Sequence, residues 1–445
     1  MRGLFLLLLW VGLAGAGPST DGLPRAAERR MEFAPGALRF DSDVEGRLTA
    51  SVYSLPSFFF GLPEADAFLS AVRAAAPDRE ILVLTDSPLR EKLRAKELRL
   101  RLLDTGGRPY SPWPRDPFSL VRDKKGGVRV LVRPNLQTGR EEDARLGLEL
   151  VQDLPADLDK AWGKVAWTTS PVPFHNGQVL LTRDAAWVTL HALEPHILKI
   201  LGLSRVPVES FGSAEGIDRY VAAADRAASE LGALYGRSVR FVHPLPRSGE
   251  TAGRTALMRR IGGGAGYDLD SIVTFLPRGK GRTAALVADV SAGTDLLAKL
   301  APADLDALRR GYGLAPQGAA LVQALTAGQG KAAALDDFLD LTAQHLAAQG
   351  MEVRRLPLLS VPVSLLSDHA GIAHSEFLIT WNNVVVETRG KTVRAEGFAS
   401  LLPPGDRLAR DAFTALGARL DLFPPLVRSV ILNGGYRCAS NHLRG

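Results

Sequence analysis

The chain has 445 residues, 23% charged and 46% hydrophobic, with a formal net charge of +6 and one cysteine. Such proportions exclude a disordered, collagen-like or coiled-coil protein over most of the length, and one cysteine excludes both an internal disulfide and a thiolate metal cage. Lys and Arg are interspersed with Asp and Glu, which argues against a nucleic-acid partner, and a chain of this size can be stabilised by core burial alone.

Met1-Arg2-Gly3 is a short basic start, residues 4–13 are almost purely apolar, and Ala14-Gly15-Ala16 fits the small-x-small pattern ahead of a cleavage site. The apolar run is too short to span a bilayer comfortably, so residues 1–16 read as a cleaved secretory signal. Residues 17–31 then form a flexible lead-in and residues 32–445 a single domain, secreted or periplasmic, with no stable membrane insertion.

Residues 64–75 place Phe68, Leu69 and Val72 on one helical face, ahead of the buried-strand run Ile81-Leu82-Val83-Leu84. Residues 178–182 and 186–190 read as a strand pair, 215–235 as a helix carrying Ile217, Val221, Ala224, Ala228 and Leu231, and 239–242 as a strand. Residues 315–334 are helix-compatible and have the look of an insertion, 335–348 form a helix stopped by Gly350, and 351–359 read as extended. Strands at 377–381 and 384–387 flank Asn382-Asn383, a hairpin-turn signal. A helix over 409–420 is broken at Phe423-Pro424-Pro425, and a strand follows at 427–432. The recurring order of strand pair, helix and strand indicates a mixed α/β fold of repeated units, with an ordinary three-layer α/β protein as the alternative.

Three clusters carry residues with chemistry. Cys438 lies in Asn433-Gly434-Gly435-Tyr436-Arg437-Cys438-Ala439-Ser440, where the glycines permit a tight turn or a close approach, and Arg437 is a cationic neighbour that favours thiolate. In Pro112-Trp113-Pro114-Arg115-Asp116-Pro117-Phe118, a proline-stiffened loop presents Asp116 either to a guanidinium or base, or to its neighbour Arg115. Asp268 and Asp270 follow the glycines at 262–264; two apart on a strand, they would share one face and either bind a cation, sit in water, or share a site where like charges raise one pKa. No Gly-Lys-Ser/Thr ending accompanies these glycines, which argues against a nucleotide site. His191 and His196, like His369 and His374, are five apart and lack metal-ligand spacing. His175, just before a strand, is a further site candidate.

Taken in order, these motifs resemble the guanidine-group-modifying, or pentein, superfamily, in its agmatine deiminase and bacterial protein-arginine deiminase branch. Trp113-Pro114-Arg115-Asp116 matches the branch's Trp-x-Arg-Asp, and Gly434-Gly435-Tyr436-Arg437-Cys438 its closing Gly-Gly-x-x-Cys. Residues 375–387, the helix at 409–420 and the strand before Cys438 follow its C-terminal pattern. Two departures stand out: the family's His-x-Asp falls on Asp268-Leu269-Asp270, and its Glu-Gly-Gly on His175-Asn176-Gly177.

The resemblance implies an α/β propeller of repeated ββαβ units with pseudo-fivefold symmetry, no cofactor and no metal. It implies Cys438 as the nucleophile that attacks a guanidinium carbon and Asp116 and Asp270 as the acids holding the guanidinium, with Trp113 and Arg115 beside them. Asp268 would occupy the acid–base position, or His175 would supply the imidazole from another strand. A carboxylate there raises the thiol's pKa where an imidazolium would lower it, so Asp268 can serve only if its own pKa is raised toward neutrality. The expected substrate is a guanidino small molecule or the arginine side chain of a peptide. The alternative is a pentein that has lost hydrolysis and binds a guanidino ligand or a protein partner. Amidino transfer would use the same nucleophile.

Overall fold

The computed structural model describes residues 18–34, 36–95, 100–105, 110–133, 140–172, 176–279, 281–369 and 372–445. The signal read at 1–16 and the candidate His175 lie outside the described residues. Within the lead-in expected to be flexible, Pro24–Glu28 is a short helix with Ala26 buried, its carbonyl accepting a hydrogen bond from Trp167 Nε1 at 2.7 Å.

In chain order, β1 (Leu38–Arg39) precedes three parallel strands, β2 (Leu48–Ser54), β3 (Glu80–Thr85) and β4 (Arg101–Asp104). The helix Leu62–Ala75 links β2 to β3, and it buries Phe68, Leu69 and Val72 as the spacing requires. The second sheet comprises β5 (Phe118–Asp123), β6 (Val128–Val132) and β7 (Ala166–Thr169), antiparallel then parallel, with β1 on its edge. The third comprises β8 (Val179–Leu181), β9 (Ala185–Val188) and β10 (Ser238–Phe241), again antiparallel then parallel, with helices Leu190–Leu201 and Ala214–Tyr235 in the crossover.

The fourth sheet has β11 (Val273–Arg278), β12 (Arg282–Asp289) and β13 (Glu352–Pro362), plus β14 (Glu376–Thr380) antiparallel to β13. Four helices fill its crossover. One of them, Gly318–Lys331, covers the segment read as an insertion, and it puts Leu321 and Leu325 into the main core. The fifth sheet has β15 (Val385–Arg389), β16 (Thr392–Phe398) and β17 (Ala418–Phe423), with the helix Pro403–Ala415 between the last two. The last strand, β18 (Ser440–Arg444), pairs antiparallel with β2, so the first sheet is completed by the chain's C-terminal end.

Five sheets among the described residues therefore repeat one order: an antiparallel pair, a helix, and a strand parallel to the second of the pair. The three-layer alternative would have required one continuous sheet. A buried apolar cluster runs from β2 and β3 through the fourth and fifth sheets to Tyr436 and Ala439, which brings the core up against the Cys438 loop. Among the described residues no helix is long and apolar enough to cross a membrane.

Three local expectations are corrected. The strands on either side of Asn382-Asn383 do not pair with each other: β14 joins β13 and β15 joins β16, so this dipeptide is a crossing between sheets and not a hairpin turn. The helix expected over 409–420 ends at Ala415, because Gly417 adopts φ 73° and the chain resumes as β17. The strand expected at 427–432 is instead the short helix Val427–Ile431; an apolar run that short fits either state, and its periodicity cannot choose.

Candidate active site

The segment bearing Cys438 leaves the helix Val427–Ile431 through Asn433, whose φ of 64° turns the backbone. The Asn433 side chain fixes that turn to β14: its Oδ1 accepts from Leu378 N at 2.9 Å and its Nδ2 donates to Glu376 O at 3.1 Å. The two glycines that follow are required for space, since neither has a positive φ. A Cβ on Gly434 would lie 1.8 Å from Trp113 Nε1, and one on Gly435 would lie 2.5 Å from the Asn383 side chain. The close approach expected of the glycine pair is thus to the protein's own Trp113 and Asn383.

Asn383, at the crossing between the fourth and fifth sheets, organises the loop. Its Oδ1 accepts from the backbone N–H of Arg437 (2.8 Å) and Cys438 (3.3 Å). Its Nδ2 lies 3.0 Å from Asp270 Oδ1, 3.2 Å from Ser271 Oγ and 3.2 Å from the Cys438 sulfur. One amide therefore sets the thiol against the acid. The same sulfur is 3.8 Å from Asp270 Oδ2 and 4.0 Å from Oδ1.

Asp270 is fully buried in a single helical turn, Leu269–Ile272, for which Asp268 is the N-cap; the strand β11 starts only at Val273. The two acids are therefore not on a strand, and shared facing is not what joins them. The turn nevertheless brings both to the cysteine: a carboxylate oxygen of each and the Cys438 sulfur all lie within 4.8 Å of one another.

Asp116 is buried on the loop before β5, its N–H bonded to Trp113 O at 3.2 Å. Its Oδ2 accepts from Arg140 at 2.9 Å. Arg115 points elsewhere, to Asp43 at 2.6 Å, so Arg140 replaces the local partner that adjacency suggested. Trp113 donates from Nε1 to Ser429 Oγ at 3.0 Å, and its ring lies 4.8 Å beneath the Arg140 guanidinium. Arg437 bonds Asp270 Oδ2 at 2.6 Å, Asp43 Oδ2 at 3.0 Å and Val179 O at 3.0 Å.

These pairings set the charge states. Burial pushes the Cys438 thiol well above its ordinary range, and the carboxylates of Asp270, Asp268 and Asp116 push it further, against the Asn383 hydrogen bond. Arg437, expected to favour thiolate, does interact electrostatically with Cys438, while its hydrogen bonds go to Asp270 and Asp43. Burial, then Asp270 and Asp116, raise the Asp268 carboxyl well above the usual carboxylate range against Arg133 and Arg140. Asp270 is raised by burial despite Arg437. Asp43 goes the other way: burial would raise it, but Arg437 and Arg115 hold it well below the ordinary range.

The resting thiol is therefore neutral, next to a carboxyl that keeps its proton unusually well. Among the described residues the hydrogen-bond partners of the sulfur are Asn383 and Asp270. The nearby His442 bonds Ser51 and Ser440, and burial, reinforced by Arg79, holds it well below its usual pKa.

Asn383, Asp43 and Arg140 were not expected in the site. A polar dipeptide between two apolar runs marked Asn383, but that signal also describes a turn. Nothing in the sequence marks Arg140 or Asp43, whose partners meet them only through tertiary packing.

No family model and no curated protein matches the chain. Solved structures do match. Agmatine deiminase of C. jejuni aligns at 11% identity over 92% of this chain and 96% of its own, with a TM-score of 0.51. A variant of that enzyme with substrate bound gives 10% identity, 92% and 96% coverage and 0.52. The agmatine deiminase of Enterococcus faecalis gives 11% identity, 94% and 99% coverage and 0.52. The chain shares the fold of the agmatine deiminases over nearly its whole length, so the resemblance drawn from Trp113–Asp116 and Gly434–Cys438 holds at the level of the fold.

Proposed function

We propose that the chain is a hydrolase of guanidino groups, with Cys438 as its nucleophile. The observation that carries this reading is the meeting of Cys438, Asp268 and Asp270 within 4.8 Å, at a loop shaped by Gly434 and Gly435. A guanidinium cation entering between the carboxylates stabilises both the Cys438 thiolate and the Asp268 carboxylate, so Asp268 releases its resting proton to solvent as the cation binds and then takes up the thiol proton. The sulfur attacks the guanidinium carbon, and Asp268 returns the proton to the departing ammonia as the C–N bond breaks. Water then adds to the thiouronium carbon, giving its proton to Asp268, and the C–S bond breaks to release the ureido product and the thiol. Asp116 and Asp270 are the acids that hold the guanidinium, with Trp113 beside it. The five ββαβ units are read as blades about a pseudo-fivefold axis, in one domain over 32–445 that is exported by the signal at 1–16. Exported, it would meet arginine-bearing peptides and free guanidino compounds.

A second reading, a pentein that binds such a ligand without turnover, is favoured by one observation: Asp116 and Asp270 are each already bonded to an arginine of the chain. One experiment separates the two. The purified protein is incubated with agmatine, arginine and an arginine-containing peptide, and ammonia and ureido product are measured across pH. Turnover that disappears in Cys438→Ala is the expected result. Absence of turnover in the wild type, or turnover unaffected by Cys438→Ala, sinks the hydrolase reading.

A further inference from the structure

The acid on the Trp113 loop is held in a way that has its own meaning. Arg140 directs one terminal nitrogen to Asp116 Oδ2 at 2.9 Å and the other to Ser111 Oγ at 3.0 Å and Asp143 Oδ2 at 2.7 Å, while its Nε donates to Asp143 Oδ2 at 2.8 Å. The flat side of the group lies 4.8 Å from the centroid of the Trp113 ring. Asp143 is itself pinned by the Ser111 N–H at 2.7 Å and is nearly inaccessible. Two carboxylates, a hydroxyl and an indole face thus surround one guanidinium, the donor-matching and stacking environment that this planar cation prefers.

We infer that this cage is a guanidinium-binding site occupied by the chain's own Arg140, which a guanidino ligand must displace to reach Asp116. This deepens the hydrolase reading by naming a determinant of specificity at the same site, and it rests on that reading for the role of Asp116. The occupant is local: Arg140 immediately precedes the 3-10 turn Glu141–Arg145 that carries Asp143, so its guanidinium is delivered beside its own partner. With an intramolecular occupant, apparent affinity is the intrinsic affinity multiplied by the fraction of time the cage is free. The factor is the same for every guanidino ligand, so small cations, which bring little besides the guanidinium, are the first to fall below useful affinity. A larger ligand loses the same factor but retains affinity from its contacts elsewhere.

The test compares wild type, Arg140→Ala and Arg140→Lys by calorimetric titration with guanidinium chloride and with agmatine, at constant ionic strength. Ammonia release is measured in parallel. Arg140→Ala is expected to bind both cations at least roughly tenfold more tightly than wild type, corresponding to a cage occupied about nine-tenths of the time. Adding Asp116→Asn to Arg140→Ala should abolish that gain. Arg140→Lys keeps a cation near the acids without the planar fork, and it should fall between the other two. Equal or weaker binding by folded Arg140→Ala overturns the inference, as does a gain that survives Asp116→Asn. If circular dichroism shows that the alanine variant is unfolded, Arg140→Lys decides: tighter binding than wild type supports the cage, and equal or weaker binding overturns it. Tighter binding without ammonia from any variant would leave the cage standing and sink the hydrolase reading; ammonia release with no gain in binding would do the reverse.

Discussion

On the Tyr436 side of the Cys438 loop, Arg79 is fully buried and gives two 2.7 Å bonds to Glu396 and one of 3.3 Å to Glu387. Tyr436 donates to Glu396 at 2.8 Å and shares a 2.9 Å hydrogen bond with Tyr53, tying the loop to β16 and β2 at once. On the sulfur side, Asp268, Asp270 and Asp116 gather near the thiol, and the arginines Arg437 and Arg140 engage two of the three. Both regions bury carboxyl groups, yet Glu396 lies below its usual pKa while Asp268 lies well above. Burial raises both. The difference is the neighbours: a bidentate Arg79, Arg394 and Tyr436 together outweigh desolvation at Glu396, whereas two like charges reinforce it at Asp268. The Tyr436 side ties the sheets together, and the sulfur side keeps a thiol and a carboxyl that are both shifted toward their neutral forms.

The largest expected effect is on the Tyr436 side. Arg79→Ala removes the cation shared by two buried glutamates and leaves Glu396 with its main partner gone. A loss of roughly 3–5 kcal/mol is expected for breaking a buried pair in this way, measured by urea denaturation. Because Glu396 has a lowered folded pKa, its contribution is present above the unfolded carboxyl pKa and is lost as pH falls through the folded value. The deficit of the variant should therefore shrink in acid. A deficit below about 1 kcal/mol at neutral pH would mean that the two regions do not differ as drawn.

An intermediate effect is expected where the regions meet. Gly434→Ala places a methyl 1.8 Å from Trp113 Nε1, so either the ring or the loop must shift. About 1–3 kcal/mol of stability should be lost to overpacking, together with any Cys438-dependent activity. A variant that keeps both would show that the loop can move without cost.

Motif spacing marked Cys438, Asp116 and Asp270, because the Gly-Gly-x-x-Cys and Trp-x-Arg-Asp patterns are local in the chain. Helical and strand periodicity similarly marked Leu62–Ala75, Ala214–Tyr235 and the β8–β9 pair. The partners that complete the site were not legible: Asn383 is 55 residues from Cys438, and Arg79 is 317 from Glu396. Such separations carry no periodic signal. The two Asn residues illustrate the ambiguity: the same dipeptide chemistry serves a hairpin turn or a side-chain clamp, and only the pairing of β14 and β15 with other strands distinguishes them.

The smallest expected effect tests the sulfur side most directly. When the buried thiol ionises, an ionised Asp268 opposes it; Asp268→Asn removes that opposition, so the thiol pKa should fall. A lower thiol pKa raises the thiolate fraction, and with it the alkylation rate below that pKa, by roughly tenfold. Because the chain has one cysteine, iodoacetamide labelling followed by mass spectrometry reports this site alone. The sign of the stability change is also fixed. A carboxyl whose folded pKa is raised costs stability as pH climbs from its unfolded pKa toward the folded one. Asp268→Asn should therefore stabilise the protein near neutrality and lose that advantage below about pH 4. Unchanged or slower labelling, or no advantage near neutrality, would mean that Arg133 and Arg140 offset the Asp268 carboxylate, which would remove the distinction between the two sides of the loop.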